Sequence, residues 1–286
     1  MIAKLNVRVF AAAAAMVFSL GIPSETPFRA TGATLRRGPI QIHRHRQNSS
    51  WDSSNWSGYA VTSTTNGAVT SVSGSWVVPA ATCTSAMKDD PGYTAFWVGI
   101  DGFSSNTVEQ IGTDSDCVSV RGSQTGTPTY YAWFEFYPAG SYIIEFSKPL
   151  MVGDVINASV NYAGQSTNKR HGSGGPMFTV SLSVNGGTPF TTSAVVNSAQ
   201  QTSAEWIAEA PCCGRGGSVL PLADFGVVKF TSGQATVSNS THTIDLFGPN
   251  VQEITMEDNG STVQKAVPSN PPTGGNFSVG WLNAGP

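Results

Sequence analysis

From Asn55 to the C-terminus, the sequence consists of short segments in which polar and apolar residues alternate, each ending near Gly, Asn or Pro. The segments are rich in Val, Thr, Ser, Tyr, Phe and Trp, and they have almost none of the periodicity of an amphipathic helix. Alternation with a period of two is typical of strands that bury one face. The pattern therefore predicts an all-β fold.

Turn signals indicate how these strands are joined. Three Asn-Gly dipeptides lie between alternating segments, at positions 66–67, 185–186 and 259–260. Such dipeptides supply the positive φ angles of tight hairpins, so each is predicted to connect antiparallel neighbours. One open sheet of so many strands would leave an apolar face uncovered, and we therefore predict a two-sheet sandwich.

The N-terminus has the pattern of a secretory signal peptide. Lys4 and Arg8 precede an apolar run over residues 9–20, and Gly21 and Pro23 follow it. A run of about a dozen residues is shorter than the roughly 20 that span a bilayer, and no later stretch is both long and apolar. We predict a signal peptide over residues 1–21, an exported protein and no membrane span.

Residues 22–48, which we call the leader, differ from the rest of the chain. They contain prolines and are strongly basic, and we predict a propeptide or linker without regular structure, followed by one domain over 49–286. From position 47 onward the chain has 8 Lys and Arg against 17 Asp and Glu, a formal charge of −9. Such an acidic domain argues against nucleic-acid binding and suits work at low pH. The arginines of the leader are Arg29, Arg36, Arg37, Arg44 and Arg46.

Cysteine spacing points to disulfides, because exported proteins form them readily. The four cysteines are Cys83, Cys117, Cys212 and Cys213, and three full pairings are possible. A bond between adjacent cysteines is strained, so Cys83 with Cys117 is the first expectation and the pairing otherwise stays open. Closing that loop would contribute about 3–4 kcal/mol in the chain-entropy model.

Two predicted strands combine carboxylates with large rings on one face. In the segment 130–138, a period of two places four side chains together: Tyr131, Trp133, Glu135 and Tyr137. In the segment 203–209, Ser203, Glu205 and Glu209 share a face. An ordinary solvated surface and a ring-lined cleft explain this pattern about equally well.

Several hydrolase chemistries lack their motifs in this chain. HExxH, G-x-S-x-G, Asp-Thr-Gly and Asp-Ser-Gly do not occur, and no His, Cys or carboxylate cluster has metal-ligand spacing. We expect no metal and no cofactor. Carboxylates, amides and rings remain as the candidate chemistry.

Six segments resemble the glutamic peptidase (eqolisin) family, in that family's order over about residues 55–210. They are NWSGYAV, SGSWVVP, FWVGIDG, EQIGTD, YYAWFEFYP and SAEWIAE. The last two are the most discriminating. The resemblance implies a sandwich of two curved antiparallel sheets of the concanavalin-like or jelly-roll kind. It also implies a secreted acid endopeptidase that pepstatin does not inhibit.

The same resemblance assigns site residues. It implies that Glu205 and Gln110 are the catalytic pair. Four further positions match residues that line the family's cleft: Asp101, Trp97, Trp133 and Glu135. Tyr131 and Phe136 stand where fungal members are expected to have an acidic residue and a tryptophan, which could alter subsite preference.

The proposed pair is chemically suited to hydrolysis in acid. A glutamate with an ordinary pKa near 4.3 can accept a proton from water at about pH 3–5 and then return it to the departing amine. A glutamine stays neutral, and its amide can hold the water and donate to the oxyanion. One such donor is worth roughly 3–4 kcal/mol in the transition state.

Two other functions remain open at this point. A β-sandwich glycosidase would use Glu135 and Glu205 as its two carboxylates, and a lectin-like module would bind without catalysis. Gln110 has no role in either. For the peptidase, the expected partners are protein substrates and the leader as an inhibitor, with no nucleic acid, no membrane and a monomeric state.

Overall fold

The computed structural model describes residues 28–32, 35–46, 49–85, 89–167, 174–212, 218–258, 262–269 and 272–285. Strands make up 59% of the described residues and helix 3%, which confirms the all-β prediction. The predicted signal peptide lies outside the described residues. Within the described ranges, none of the helices has the length and apolar character needed to cross a membrane.

The elements follow one another along the chain with short connections. They are β1 (Arg29–Gly32), β2 (Ile42–His45), β3 (Ser50–Ser53), β4 (Trp56–Thr62), β5 (Val69–Val77), β6 (Ala95–Ile100), β7 (Val108–Val118), β8 (Thr127–Tyr137), β9 (Ser141–Glu145), β10 (Val155–Ser166), β11 (Gly175–Val184), β12 (Phe190–Val195), β13 (Ser203–Glu209), β14 (Val227–Val237), β15 (Ser240–Thr243), a 3-10 helix (Ile244–Asn250), β16 (Val251–Glu257), β17 (Gln264–Pro268) and β18 (Phe277–Trp281).

The strands pair into a long ladder that folds into two layers. The first layer has the order β1-β9-β8-β7-β6-β13-β4-β16, and β2 and β3 extend it beyond β16. The second has the order β12-β11-β10-β5-β14. β17 and β18 connect β16 to β14. The pairs are antiparallel apart from β3 with β16, and the arrangement is consistent with the predicted sandwich.

The core lies between the two layers. Alternate residues of β6, β8 and β13 point into it, among them Phe96, Phe134 and Trp206, together with aliphatic side chains of the second layer. Burying each ring fully is worth roughly 1.5–3 kcal/mol. Two indole rings of this core also have a partner for the ring nitrogen: Trp76 Nε1 donates to Thr113 Oγ1 at 2.9 Å, and Trp206 Nε1 donates to the Ser73 carbonyl at 2.8 Å.

The Asn-Gly predictions have mixed outcomes. Residues 185–186 form the turn between the antiparallel strands β11 and β12, with φ angles of 52° and 69°, as predicted. The hairpin prediction for residues 66–67 is wrong, because β4 pairs with β13 and β16 whereas β5 pairs with β10 and β14. That dipeptide connects the two layers instead. The dipeptide at 259–260 lies outside the described residues.

The Cys83–Cys117 disulfide is confirmed, with the two Cα atoms 5.5 Å apart. It joins the segment after β5 to the end of β7 across 34 residues. Cys212 is also disulfide-bonded.

The leader is more regular than its composition suggests, so the prediction that it lacks regular structure is wrong. β1 pairs with the edge strand β9, and β2 pairs with β3. Pro39 lies between these two strands and interrupts neither. Strands of the leader therefore lie at both edges of the first layer.

Candidate active site

The two predicted catalytic residues lie in one row across four neighbouring strands. Glu205 of β13 is paired with Gly99 of β6, Gly99 with Gln110 of β7, and Gln110 with Glu135 of β8. Directly paired residues of antiparallel strands project from the same face. Glu205, Gln110 and Glu135 therefore project together from the first layer, on the side away from the core between the layers. We call Glu205, Gly99, Gln110 and Glu135 the central row.

The spacing within the row suits a pair that acts on one bond. Neighbouring strands lie about 4.8 Å apart, so the backbones of Glu205 and Gln110 are roughly 10 Å apart. Two long side chains that extend over the intervening strand can approach one peptide group and one water. The intervening residue is Gly99, which contributes no side chain to fill that space.

Trp97 occupies part of the gap that Gly99 leaves. A Cβ atom at Gly99 would lie 2.7 Å from Cζ3 of the indole and 3.3 Å from the Gln110 Cβ. The indole is held at its other end, where Nε1 donates to Glu209 Oε2 at 2.8 Å. Glycine at this position is therefore required for the ring to lie over β6 beside Gln110.

The next two rows bring further predicted and unpredicted residues to the same face. One row pairs Trp97 with Gly112 and Gly112 with Trp133, so both predicted tryptophans lie beside the central row. The following row runs through Glu209, Ala95, Asp114 and Tyr131. This face thus combines five acidic or amide groups with rings, as a cleft does and as a solvated surface does not.

Asp101 lies just beyond β6 and does not project into the central row. Its carboxylate accepts backbone hydrogen bonds from Gln200, Gln201 and Thr202 at 2.7, 2.8 and 2.9 Å. Those residues lead directly into β13. Asp101, which itself has a φ of 69°, therefore fixes the approach of the strand that carries Glu205.

Comparison with known families shows which family the chain belongs to. A family model described as the peptidase A4 family matches residues 54–273, a range that includes every residue of the central row. The chain belongs to the peptidase A4 family. The resemblance to glutamic peptidases is thereby confirmed.

Two known proteins illustrate what the chain is similar to. Aspergillopepsin-2 of Aspergillus niger is 33% identical over 213 residues, which is 66% of this chain and 66% of the relative. The chain thus spans about two thirds of that relative's length. A peanut lectin structure with a nine-residue peptide is 16% identical and covers 69% of this chain and 87% of its own, with a TM-score of 0.27. A TM-score this low says nothing about the function of this chain.

In this member of the peptidase A4 family, Glu205 is completely enclosed. Its two carboxylate oxygens, and Oε1 of Gln110, have no hydrogen-bond partner among the described residues. Burial raises the pKa of Glu205 well above its usual range; the Ser203 hydroxyl opposes this, and the charges of Asp101 and Glu109 add to it. Glu205 can therefore keep its proton at a pH where an exposed glutamate is ionised.

Two other carboxyl groups of this face also have raised pKa values. Burial raises the pKa of Glu135 to about 7, although the positive charges of Arg37 and Arg36 oppose the shift. Burial likewise raises the pKa of Glu209 well above its usual range. A carboxyl group with a raised pKa keeps a proton at a pH where an exposed carboxyl has lost it, and such shifted groups are common at functional sites.

The leader crosses this face of the family domain at Arg37. The Arg37 backbone N–H donates to Glu135 Oε2 at 2.9 Å, and Gln110 Nε2 donates to the Arg37 carbonyl oxygen. The guanidinium group is fully buried and lies 4.0 Å from the ring centre of Trp133. One leader residue thus contacts three of the predicted site residues.

A second contact lies further along the leader. Arg44 Nη2 is 2.9 Å from Glu257 Oε2, and Arg46 Nε is 2.6 Å from Asp52 Oδ1. Each arginine also contacts the other carboxylate, and His43 lies 3.6 Å from Glu257. The two carboxylates are buried while the arginines are partly exposed.

Sequence reasoning missed three residues of the site: Asp114, Glu209 and Arg37. The first two could have been found, since each lies four positions after a predicted catalytic residue and a period of two places both on the same face. Alternation does place Glu209 on the face of Glu205, but it gives Glu209 no role. Nothing local indicated that Arg37 would be buried, because its partners are 77 to 104 residues away.

Proposed function

We propose that this protein is an acid endopeptidase in which Glu205 and Gln110 hydrolyse peptide bonds. The observation that carries the proposal is the central row, in which both side chains project from one face across the gap left by Gly99. Their unpartnered buried oxygens support it, because these atoms are available to a water molecule and a substrate. Membership of the peptidase A4 family supports the reaction class.

In the proposed reaction, the ionised Glu205 takes a proton from a water molecule that Gln110 Oε1 helps to hold. The water oxygen attacks the peptide carbonyl carbon, and Gln110 Nε2 donates to the oxyanion that forms. Glu205 then gives the proton to the amine nitrogen, and the carbon–nitrogen bond breaks. The hydrogen bond from Gln110 Nε2 to the Arg37 carbonyl supports this role, because it is a contact with a peptide carbonyl.

The pKa of Glu205 links this reaction to the leader. While the leader covers the cleft, burial raises the pKa of Glu205 and favours the neutral form, which cannot accept a proton from water. Removal of the leader admits water and lowers that pKa toward the ordinary value. Glu205 then alternates between its two forms at acidic pH.

We further propose that the leader is an inhibitory propeptide, with its boundary near residue 48 and the catalytic domain over 49–286. The contacts of Arg37 with Gln110 and Glu135 support this, because they occupy atoms that a substrate would need. In acid, the carboxylates that face the arginines lose charge while the arginines keep theirs, so the attraction weakens.

The proposal extends to the cellular setting. Residues 1–21 act as a signal peptide, and the protein works outside the cell as a monomer on protein substrates. Pepstatin is not expected to inhibit it, because the proposed pair is a carboxyl and an amide and no two-aspartate motif occurs in the sequence.

The glycosidase alternative fits the geometry less well. Glu205 and Glu135 are three strand spacings apart in the central row, so their backbones are separated by roughly 14 Å. Glycosidase carboxyl groups lie about 5–9.5 Å apart across the bond they cleave, and here the Gln110 side chain stands between the two glutamates, where that bond would have to lie.

A pair of assays at pH 4 tests the proposal, using casein with pepstatin present and a panel of polysaccharides. We expect the wild-type protein to digest casein and leave the polysaccharides intact. The Glu205→Gln variant should digest neither substrate. Polysaccharide cleavage without casein cleavage would overturn the peptidase in favour of the glycosidase. Full casein digestion by Glu205→Gln would overturn the assignment of the base.

A further inference from the structure

We propose that the first layer contains a subsite for an arginine side chain of the substrate, at the residue whose carbonyl is attacked. We call it the arginine pocket, and its walls are Asp114, Tyr131, Trp133 and Ser141. The inference rests on the proposed function, since it takes Gln110 as the oxyanion donor. It goes further by naming the class of peptide that the enzyme prefers.

The backbone of Arg37 locates the subsite. Its carbonyl oxygen accepts from Gln110 Nε2, and its N–H donates to Glu135 Oε2 at 2.9 Å. A substrate residue with its carbonyl at that donor is the residue on the N-terminal side of the scissile bond. The pocket that receives the Arg37 side chain is therefore the pocket for that substrate residue.

The pocket matches a guanidinium group in charge, hydrogen bonding and shape. Arg37 Nη2 is 2.5 Å from Asp114 Oδ2, and Nη1 is 3.1 Å from Ser141 Oγ. The Trp133 ring lies 4.0 Å from the guanidinium carbon, and the whole side chain is buried. A planar cation that stacks on a ring while it donates to two groups is what arginine supplies and what a lysine ammonium cannot fully supply.

The domain, and not the leader, builds this pocket. The Tyr131 hydroxyl is 2.8 Å from Asp114 Oδ2 and 3.0 Å from Asp116 Oδ2. These two hydrogen bonds connect β8 to β7 beside the guanidinium group. Trp133 is fixed within β8 and Ser141 within β9. The walls therefore stay in place when the leader leaves.

The pocket also places two buried carboxyl groups next to the cation. Burial, and after it the charge of Asp114, raises the pKa of Asp116 well above its usual range. Among the described residues, Arg37 forms the ion pair with Asp114. Once the leader is removed, a substrate arginine can take this place.

The neighbouring Arg36 shows the contrast. Its guanidinium donates to the carbonyls of Pro138 and Ala139 at 3.2 and 2.7 Å, and 39% of its side chain is exposed. These contacts are at the surface and would accept many polar groups. We therefore assign selectivity to the pocket that holds Arg37 and not to the contacts of Arg36.

The test uses peptides that differ at a single position, which is arginine, lysine, citrulline, leucine or glutamate. The full-length protein is activated at pH 4, kcat/KM is measured for each peptide, and the cleaved bond is identified by mass spectrometry. We expect cleavage after arginine to exceed cleavage after citrulline or leucine at least tenfold, with lysine between them. Citrulline is the critical comparison because it has nearly the shape of arginine without the charge.

Variants connect the preference to the pocket. Asp114→Asn should reduce the ratio of arginine to leucine cleavage to near one, and Asp114→Glu should restore part of it. Tyr131→Phe, a milder change, should lower the ratio even if Asp114→Asn does not fold. Asp89→Asn changes an exposed carboxyl and should keep the wild-type ratio.

The outcomes separate this inference from the function on which it rests. Cleavage of all peptides at similar rates, or an arginine preference that survives both pocket variants, would overturn the subsite and leave the peptidase intact. Arg37 would then serve to hold the leader alone. Failure to cleave any of the peptides, or casein, would overturn the proposed function and the subsite with it.

Discussion

At the scale of single residues, the proposed site depends on a glycine at one position. Gly99 lies between Glu205 and Gln110, and the indole of Trp97 uses the space that a Cβ would take. The indole cannot move away freely, because its Nε1 is bonded to Glu209. The geometry of the proposed catalytic pair is thus coupled to the absence of one methyl group.

Gly99→Ala should therefore impair catalysis. The added methyl would lie 2.7 Å from the indole, closer than carbon atoms tolerate, so the ring or β6 must shift. We expect kcat/KM for casein-derived peptides at pH 4 to fall at least tenfold and unfolding stability to fall by roughly 1–3 kcal/mol. Gly280→Ala on β18, where a Cβ would meet open space, is the matched control, and equal behaviour of the two variants would contradict the coupling.

Residue-level prediction from the sequence succeeded where the signal is local. Alternation placed Trp133 and Glu135 on one face, and the structure agrees, because the direction of a side chain in a strand depends only on its position. Gln110 came from the family resemblance, since alternation gives no reason to choose it. Arg37 could not be predicted, because its burial depends on a segment that folds back onto distant strands.

At the scale of elements, the leader is held by short strands and by charge. β1 and β2 have four residues each, and their exposed side chains contribute little apolar burial. The stronger contacts join arginines to carboxylates: Arg37 to Asp114, Arg36 to Glu135, and Arg44 and Arg46 to Asp52 and Glu257. Burial raises the pKa of Glu135 to about 7, so lowering the pH from 7 to 4 neutralises this carboxyl and weakens the contact of Arg36 with it.

A shift from pH 7 to pH 4 should therefore release the leader and lead to its removal. We expect the full-length protein to shorten by cleavage between residues 46 and 50, in the segment that links β2 to β3, and the Glu205→Gln protein alone to stay intact. Intact-mass measurement over time checks both. Identical processing of the inactive variant would show that another protease removes the leader.

At the scale of the whole molecule, the fold buries much of its acidity. Among the residues that the structure describes, nine carboxylic side chains are buried: Asp52, Asp101, Glu109, Asp114, Asp116, Glu135, Glu205, Glu209 and Glu257. Burial raises the pKa of several of them, including Glu109, Glu205 and Glu209. The native state then holds protons that the unfolded chain has lost, so these groups add to stability in acid and their contribution is lost as the pH rises above about 4.5.

Glu135 provides a measurable share of this fall. Its pKa is raised from 4.5 to about 7, so between these values the native carboxyl keeps a proton that the unfolded one releases. Each such proton changes the free energy of unfolding by at most about 1.4 kcal/mol per pH unit. In a Glu205→Gln background, which prevents self-cleavage, Glu135→Gln should make the decline between pH 5 and 7 less steep in urea unfolding. An unchanged or steeper decline would contradict the raised pKa.

The overall architecture was only partly accessible from the sequence. Strand alternation and chain length predicted two layers, because they fix how much apolar surface must be covered. The neighbour relations were not predicted: β13 lies between β4 and β6, although it follows β6 by about 100 residues and β4 by about 140. Such pairings are long-range choices, and the same limit explains why the dipeptide at 66–67 connects layers rather than paired strands.

This long-range assembly brings Glu205 and Gln110 into one row, and the central claim is that they act as a pair. Gln110→Glu tests it most directly, because it keeps the shape and replaces a neutral donor with a group that is charged or has a single donor. We predict a loss of at least about 100-fold in kcat at pH 4 with an unchanged Tm, on the order of losing one oxyanion donor, and a smaller loss for Glu135→Gln. Near-normal peptide cleavage by Gln110→Glu at an unchanged Tm would contradict the account.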